Sequence, residues 1–168
     1  MPYDPQRHHR RSIRLPDCDY RSPGMYYVTL CAYERGTLFG EVIGGEVQLN
    51  ASGQIVADTW RWLATRYPYL SLDAWVIMPD HLHGIIAIGD APCEVSDDTE
   101  IPAIKPLGQI IGAFKTVSTK AINDGRDTPG MAVWQRNFWE HIIRNQVDHD
   151  RVRAYIQDNP RRWSARRC

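Results

Sequence analysis

The segment from residue 72 to residue 88 constrains the fold of this chain more than any other, because it joins two apolar runs around a single break at Pro79-Asp80. The two runs, 72–78 and 81–88, are short and rich in branched aliphatic residues. Runs of this length and composition are typical of buried strands, and proline does not continue a central strand. The segment therefore predicts either a β-hairpin or one strand interrupted by a kink.

The rest of the chain alternates strand-like and helix-like patterns. Strand-like segments are rich in β-branched and aromatic residues, and helix-like segments repeat apolar residues at three- and four-residue spacing. In chain order they are a strand over 25–33, a strand pair within 38–49 that turns at Gly44-Gly45, a helix from an N-cap at Ser52 to Pro68, the two runs above, a helix over 107–123, a strand over 134–143 and a helix from Asn145 or Asp148 to Asn159. This order predicts an α+β fold with a ferredoxin-like antiparallel sheet covered by helices on one face.

Length and composition indicate one domain of ordinary size. The chain has 168 residues, of which 43% are hydrophobic and 24% charged, and these values are typical of folded rather than disordered chains. Residues 1–23 mix Pro, Arg, His and Asp without periodicity and are expected to form a flexible basic arm, followed by a single domain over 24–168. The four cysteines form no C-x-x-C pair, so neither a disulfide framework nor a cysteine metal site is expected.

No part of the sequence predicts association with a membrane. The apolar runs are far shorter than the ~20 residues that span a bilayer, and the Arg-rich N-terminal part has no secretory signal pattern. A cytoplasmic location is therefore expected.

The charge composition gives a weak indication of the partner. The 20 basic and 20 acidic residues balance, which argues against simple binding of a polyanion, but all except three of the basic residues are Arg. Because guanidinium binds phosphate through two parallel hydrogen bonds, this bias favours a phosphate-bearing partner.

His81-Leu82-His83 is the sequence feature with the clearest chemical meaning. Side chains on a strand alternate between faces, so His81 and His83 are expected on one face and Leu82 on the other. Two imidazoles on one face supply half of a metal site. Two solvated histidines would give the same pattern, so a third ligand is needed to decide between these alternatives.

Tyr155 and Asn159 supply a candidate for that ligand. Four residues apart on the last predicted helix, they are expected to lie on one helix face. If Asn159 joined the two imidazoles, a divalent cation would have three protein ligands and open positions, one of which a phosphate oxygen could take. Alternatively, Tyr155 belongs to a buried stripe with Val152 and Ile156, and Asn159 is a C-terminal cap before Pro160. Spacing alone leaves both alternatives open.

A tyrosine in such a site can act as a nucleophile only when it is activated, because an ordinary pKa of about 10 leaves little phenolate at neutral pH. A cation that neutralises the attacked phosphate, together with positive neighbours, meets this requirement. Exchange of a phosphodiester for a phosphotyrosine bond conserves the bond type, so it can be reversed without ATP. This chemistry suits cutting followed by rejoining.

Four motifs follow one another along the chain: VIMPDHLHGIIAI (76–88), LGQIIGAFKTVSTKAIN (107–123), VWQRNFWEHIIRN (133–145) and RAYIQDNPRRW (153–163). In this order they resemble the bacterial single-tyrosine transposases of the IS200-like superfamily, most closely the REP-associated tyrosine transposases. The resemblance extends from about residue 20 to residue 163. Two departures are Asp80, where an asparagine is common, and the absence of a His-Gly pair after Asn159-Pro160. They bear on substrate choice more than on the reaction.

The resemblance implies a histidine-hydrophobic-histidine endonuclease on a ferredoxin-like sheet, with the catalytic tyrosine on the C-terminal helix. It implies that His81 and His83 bind Mg²⁺ or Mn²⁺, with Asn159 as the third ligand. It further implies that Tyr155 attacks the scissile phosphate of hairpin-bearing single-stranded DNA and leaves a 5′-phosphotyrosine bond and a free 3′-hydroxyl. Relatives include dimers that exchange tyrosine helices, so a homodimer stays open beside a monomer.

Glu140 and His141 form a second polar pair within the predicted strand over 134–143. Strand alternation places them on opposite faces, so only one of them can face the metal. His141 is a candidate for a supporting role, with packing beside Trp139 as the alternative. His149 has no partner at ligand spacing and is expected at the surface.

Two groups of arginines are expected to contact the DNA backbone, because phosphate contacts depend on reach more than on burial. Any single arginine is explained as well by solvated surface charge, so the prediction concerns the groups. They are the arm residues Arg7, Arg10, Arg11 and Arg14 and the tail residues Arg161, Arg162, Arg166 and Arg167.

The sequence thus predicts a metal-dependent enzyme that cuts single-stranded DNA through Tyr155 and rejoins it. A rolling-circle initiator or relaxase would use the same two-histidine and tyrosine chemistry, but the motifs WQRNFWEH and YIQDNP argue against it. The alternative from another class is a ferredoxin-like module that binds nucleic acid without catalysis, in which Tyr155 belongs to the core.

Overall fold

The computed structural model describes residues 23–89 and 103–165. Most of the expected basic arm, together with Arg166 and Arg167, lies outside these residues. In chain order the elements are β1 (Gly24–Cys31), β2 (Gly40–Ile43), β3 (Glu46–Leu49), α1 (Ala51–Arg66), β4 (Leu70–Met78), β5 (His81–Ile88), α2 (Leu107–Arg126), β6 (Trp139–Ile143) and α3 (Gln146–Ala165).

Four strands form the central sheet in the order β4-β5-β1-β6, and all neighbouring strands are antiparallel. With α1 and α2 these strands follow the order β-α-β-β-α-β of the ferredoxin-like fold. The segment around Pro79-Asp80 is a hairpin, because β4 and β5 pair directly from Met78 and His81 outward. The prediction of an α+β fold with a ferredoxin-like antiparallel sheet is therefore confirmed.

The hairpin of β2 and β3 is separate from the central sheet. It turns at Gly44 and Gly45, whose φ angles are 60° and 82°. Two consecutive left-handed residues are the geometry of a type I′ turn, which favours glycine at both positions. The predicted turn is confirmed, and the hairpin lies close to α3, where a Cβ atom at Gly45 would be 3.4 Å from the side chain of Arg161.

Helices α1 and α2 cover one face of the sheet, where they enclose the larger hydrophobic core. Alternate residues of β1 and β5, such as Val28, Leu82 and Ile86, point into this core and are fully buried. Trp60 of α1 and Phe114 of α2 meet there edge to face, with ring centroids 5.3 Å apart. The predicted apolar stripes of these two helices therefore face the core, as expected for amphipathic helices.

Helix α3 covers the opposite face of the sheet, a placement that the sequence did not predict. The smaller apolar cluster between α3 and the sheet comprises the buried residues Tyr27, Ile85, Ile143, Val152 and Ile156. Odd-numbered residues of β1 and β5 point to this side, because strand side chains alternate. The sheet thus has a structural face under α1 and α2 and a second face under α3.

Three helix boundaries differ from the prediction, the smallest difference being the end of α2 at Arg126 instead of residue 123. The N-cap of α1 is Asn50 rather than Ser52, because the side chain of Asn50 accepts a hydrogen bond from the backbone N–H of Gly53. Helix α3 continues through Pro160 to residue 165 instead of ending at Asn159. Proline removes one backbone hydrogen bond, but the next turn is held by Arg162, which bonds Asp158, and by Trp163, whose ring lies against His81.

The strand predicted over 134–143 is shorter than expected. Only Trp139–Ile143 forms β6, and Trp134 makes a single bridge with Ala32. The indole N–H of Trp134 donates to the hydroxyl of Ser118 on α2, which draws this residue toward the core.

None of the helices within residues 23–89 and 103–165 is long and apolar enough to cross a membrane.

Candidate active site

The two histidines of β5 lie side by side on the face covered by α3. Their ring centroids are 4.6 Å apart, and Leu82 between them is buried on the other face. On the neighbouring strand β1, Thr29 pairs with His83 and Cys31 with His81. The predicted placement of both imidazoles on one face is therefore confirmed.

His83 is anchored from within the sheet. Its Nδ1 atom lies 2.8 Å from the hydroxyl oxygen of Thr29 and 2.9 Å from that of Tyr27, and only 6% of the residue is exposed. Burial, followed by the neighbouring His81, lowers the pKa of His83 to about 3. The ring is therefore neutral near pH 7, and Nε2 is the nitrogen that the two hydroxyl contacts leave for a ligand.

His81 is anchored by a carboxylate. Its Nδ1 atom lies 2.6 Å from Oδ1 of Asp80, and both side chains are mostly buried. An Nδ1–H that donates to a carboxylate fixes the ring orientation and leaves Nε2 as the second nitrogen with a free lone pair. The same relation between a carboxylate, an imidazole and a metal occurs in many metal sites.

Tyr155 lies over the histidine pair from α3. Its ring centroid is 5.5 Å from that of His83 and 6.3 Å from that of Tyr27. The guanidinium carbon of Arg162 lies 5.5 Å from the centre of the Tyr155 ring, and the Nε–H of Arg162 donates to Asp158 at 2.6 Å. Tyr155 thus contacts the smaller apolar cluster and the imidazole of His83, and the guanidinium of Arg162 approaches it from the helix side.

Asn159 lies on the same stripe of α3, between two residues that touch the histidines. One turn before it, Tyr155 contacts His83, and one turn after it, the ring of Trp163 lies 5.6 Å from that of His81. Asn159 is only 6% exposed. Because residues four apart share one helix face, its carboxamide belongs to the surface that faces the imidazole pair. The alternative in which Asn159 caps the helix is wrong, since the helix continues past it.

His141 and Glu140 lie on opposite faces of β6, as predicted. His141 pairs with Tyr27 of β1 and so faces α3, whereas Glu140 pairs with Val28, which points into the larger core. Nε2 of His141 lies 2.7 Å from Oδ2 of Asp148. His141 therefore shares the face of the histidine pair, but it is separated from His83 by β1 and is held by the first turn of α3.

His149 does not lie at the surface as expected. Its side chain is only 14% exposed and forms a very short contact through Nε2 with the carboxylate of Asp73 on β4. Arg153 approaches the other oxygen of Asp73 at 3.7 Å. This cluster connects α3 to the edge of the sheet, and no local sequence pattern indicates it because the partners are far apart in the chain.

The predicted DNA-binding arginines fall into two groups. Arg161 and Arg162 are exposed on the last turns of α3, beside the site. The remaining six, Arg7, Arg10, Arg11, Arg14, Arg166 and Arg167, lie outside the described residues.

The donor set of this site suits a divalent cation with open coordination. Within the described ranges, no group of three or more His, Cys, Asp or Glu side chains could hold a metal ion. The candidate set is instead two imidazoles, each with Nδ1 engaged by the protein, and the carboxamide of Asn159. Neutral imidazole nitrogens and a carboxamide oxygen are ligands of divalent cations, and three of them leave positions for substrate.

Two curated proteins of Haemophilus influenzae are similar to this chain in sequence. An uncharacterised protein is 37% identical over 170 residues, covering 96% of this chain and 93% of that protein. A protein named "Putative REP-associated tyrosine transposase" is 24% identical over 143 residues, covering 84% of this chain and 73% of that protein. No family model matches the chain.

One solved structure has a similar fold, that of a REP-associated tyrosine transposase bound to a REP hairpin. The TM-score is 0.55 at 21% sequence identity, over 83% of this chain and 68% of that chain. At this level of identity the similarity establishes the fold. It agrees with the resemblance of the four sequence motifs.

Proposed function

We propose that this chain is a metal-dependent endonuclease and strand transferase acting on single-stranded DNA. It shares the fold of a REP-associated tyrosine transposase, and it is similar in sequence to a protein named as a putative member of that group. One observation carries the proposal. The ring of Tyr155 lies 5.5 Å from that of His83, whose neighbour His81 is 4.6 Å away on the same face. A potential nucleophile and two potential metal ligands thus share one surface.

The residues that would hold Mg²⁺ or Mn²⁺ are His81, His83 and Asn159, the two histidines through Nε2. When bound, the cation would neutralise charge on the scissile phosphate and orient it for in-line attack. Asp80 keeps the ring of His81 in place, and Thr29 does the same for His83. The chain itself therefore supplies two imidazoles held in fixed orientation on a central strand, which is the support that a precise site needs.

Tyr155 acts as the nucleophile. Its phenolate oxygen forms a bond to phosphorus, and the bond between phosphorus and the 3′ oxygen breaks. The electron pair of that bond stays on the 3′ oxygen, which takes up a proton and leaves as a free hydroxyl. The phosphate remains on Tyr155 as a 5′-phosphotyrosine ester, and attack by another 3′-hydroxyl reverses the step and joins two strands. The guanidinium carbon of Arg162 lies 5.5 Å from the centre of the Tyr155 ring, where the guanidinium can contact a phosphate oxygen of the bound strand.

The substrate is single-stranded DNA that carries hairpins. Two features support this choice: the similar fold of a transposase bound to a REP hairpin, and the exposed Arg161 and Arg162 next to the site. Arginines at the surface bind phosphates of the backbone and position the strand, but they do not read its sequence. The hairpin is thus recognised by other contacts or by its shape.

Formation of a covalent adduct tests the proposal. The full chain is incubated with a pool of hairpin-bearing single-stranded oligonucleotides and Mn²⁺, and the products are separated on a denaturing gel. We expect an adduct with the native chain and none with Tyr155→Phe. Tyr33→Phe serves as the matched control, because Tyr33 is 61% exposed and lies outside the site; this variant should form the adduct normally.

A second variant separates the role of the metal ligands from that of DNA binding. His81→Ala should lose cleavage while retaining most of its affinity for the oligonucleotide, because phosphate contacts supply affinity and the cation supplies rate. Cleavage equal to that of the native chain would exclude His81 as a ligand. Retention of DNA without any adduct in the native chain would instead indicate a binding module without catalysis.

A further inference from the structure

Trp139 is a large aromatic side chain that the fold leaves in solvent. It is the first residue of β6 and is 52% exposed, whereas Trp60 is completely buried and Trp134 is 7% exposed. About half of the surface of this residue is therefore open to solvent in the described structure. Isolated apolar residues are common at protein surfaces, so exposure alone does not indicate a function for Trp139. Its position beside the candidate site does.

The register of the sheet places Trp139 in one row with His83. Trp139 pairs with Thr29 across β6 and β1, and Thr29 pairs with His83 across β1 and β5. All three therefore lie on the face covered by α3. Neighbouring strands are about 4.8 Å apart, so the backbone of Trp139 is two strand spacings from that of the candidate metal ligand.

The indole of Trp139 is supported by the site rather than by the core. Its ring is nearly parallel to that of His141, at 10° and 6.2 Å, and meets Tyr27 edge to face at 5.4 Å. Tyr27 contacts Nδ1 of His83 through its hydroxyl, and His141 is held by Asp148. Trp139 is therefore fixed in orientation by two anchored rings while part of its surface stays open.

We propose that Trp139 is a stacking platform for an unpaired base of the DNA strand, one or two nucleotides from the phosphate that lies at the histidine pair. This inference rests on the proposed function and assigns a base-binding position to it. A flat, supported and open indole binds any unpaired base through its π-face. Arg136 and Arg144 are both exposed and flank β6 in the sequence. Arginines in this position can bind phosphates of the DNA backbone on either side of the stacked base.

The expected occupant is a nucleobase rather than an apolar protein surface. A protein interface would need a contiguous apolar patch. Near the two ends of β6, however, Asn137, Arg144 and Asn145 are polar and exposed, and Phe138 packs against the larger core. Stacking also differs from the role of the arginines. It adds affinity through a base, and it releases no counterions from the backbone.

A double-mutant comparison between protein and DNA tests this inference. A hairpin-bearing oligonucleotide retained by the native chain is prepared as a series, each member with one abasic site in the unpaired flank, and dissociation constants are measured in EDTA. In the native chain, one or two abasic positions should weaken binding by about 5- to 100-fold. Trp139→Ala should weaken binding of the intact oligonucleotide by a similar factor, and the same abasic positions should then have no further effect.

Three controls distinguish stacking from a structural role. Trp139→Phe keeps a ring and should retain most of the affinity, whereas Trp139→Leu keeps apolar bulk and should behave as Trp139→Ala. The dependence of binding on salt concentration should not change in any of these variants, because no phosphate contact is removed. Val117→Ala removes an exposed apolar side chain from α2, on the opposite side of the sheet, and should bind as the native chain does.

The outcomes also separate this inference from the proposed function. If the adduct forms but the effects of Trp139→Ala and of every abasic site simply add, the stacking platform is overturned and the enzyme assignment stands. If no hairpin oligonucleotide is retained and no adduct forms, the proposed function fails and the platform fails with it.

Discussion

At the scale of single residues, the two imidazoles of the site differ in what holds them. Asp80 offers a carboxylate to Nδ1 of His81, while Nδ1 of His83 meets the hydroxyls of Thr29 and Tyr27. A carboxylate partner makes an imidazole a more basic ligand than a hydroxyl partner does. For the proposed metal site, we therefore expect Asp80 to strengthen the bond that His81 would make to the cation.

Replacement of Asp80 should weaken metal binding without removing a ligand. We expect Asp80→Ala to reduce the affinity for Mn²⁺ by about 10- to 100-fold, with a smaller loss in Asp80→Asn, which keeps an acceptor. Calorimetric titration of Mn²⁺ into the protein measures this directly. Asp58→Ala, which removes an exposed carboxylate on α1, is the control, and equal affinities for both variants would contradict the role of Asp80.

Residue identities in the site could be predicted in part. The shared face of His81 and His83 follows from the two-residue period of a strand, and the stacking of Tyr155 and Asn159 follows from the helical period. The partners Thr29 and Asp148 could not be predicted, because cross-strand register and helix docking are set by tertiary packing and leave no local pattern in the sequence.

At the scale of elements, β5 serves two opposite surfaces. Its even-numbered residues face the core and its odd-numbered residues face α3, and Gly84 lies directly after His83. The indole of Trp60 packs so closely over Gly84 that a Cβ atom there would be 2.5 Å from the ring. Only glycine allows this approach, so the packing of α1 on the sheet and the position of His83 depend on the same short stretch of strand.

Gly84→Ala should therefore destabilise the protein. The added methyl group overpacks a core that is already filled, at a cost of about 1–3 kcal/mol in the free energy of unfolding. Urea denaturation measures the change. The matched control is Gly112→Ala on α2, where no atom lies within 4 Å of the added Cβ, and there the loss of chain entropy in the unfolded state should give a small stabilisation. Equal effects at both positions would contradict the close approach of Trp60.

Lys115 connects α2 to the segment that leads into β6. Its ammonium group donates to the carbonyl oxygens of Gln135 and Asn137, at 2.7 Å and 3.0 Å. Burial lowers the pKa of Lys115 from 10.5 to about 8. Between these two values the unfolded chain binds more protons than the folded chain, so the free energy of unfolding rises with pH in this window.

This pH dependence should disappear in Lys115→Met. Relative to Lys115→Met, the native chain should gain about 1 kcal/mol in the free energy of unfolding between pH 8 and pH 10.5, a figure that already includes a reduction for the partial exposure of the group. Lys120→Met on the exposed side of the same helix is the control. Denaturation curves at several pH values in which all three proteins change in parallel would contradict the assignment to Lys115.

Element boundaries were the least predictable part of the fold. Proline at position 160 indicates a helix end from the sequence, yet α3 continues because Trp163 and Arg162 find partners beyond it. Asn50 and Ser52 are both good caps, and only the backbone geometry at Asn50 decides between them. Local preference is weak compared with contacts made by the next turn, so such boundaries are settled by tertiary structure.

At the scale of the whole molecule, charge is distributed unevenly even though the chain is neutral overall. Deletion of residues 1–14, which contain Arg7, Arg10, Arg11 and Arg14, should weaken DNA binding and reduce its dependence on salt. For a single strand each lost phosphate contact lowers the slope by about 0.7. Binding measured over a range of salt concentrations tests this. An unchanged slope would mean that these arginines are merely solvated.

The overall architecture was the most predictable level. The order of strand-like and helix-like segments leads to a ferredoxin-like sheet because short connections and antiparallel pairing leave few other arrangements. The side of the sheet on which α3 docks could not be derived from that order. It depends on Tyr27, Ile85 and Val152, whose common surface becomes visible only once the strands are paired.

The unequal division of apolar residues between the two faces has a consequence for motion. Among residues 23–89 and 103–165, the cluster under α1 and α2 contains 22 buried residues and the cluster under α3 only five. The helix with Tyr155 is therefore attached by far less buried surface than α1 and α2. Local opening of α3 should therefore cost less free energy than global unfolding. Amide hydrogen exchange in α3 should be faster than in α1 and α2, and the helix that carries Tyr155 should be the first part of the fold to come away from the sheet.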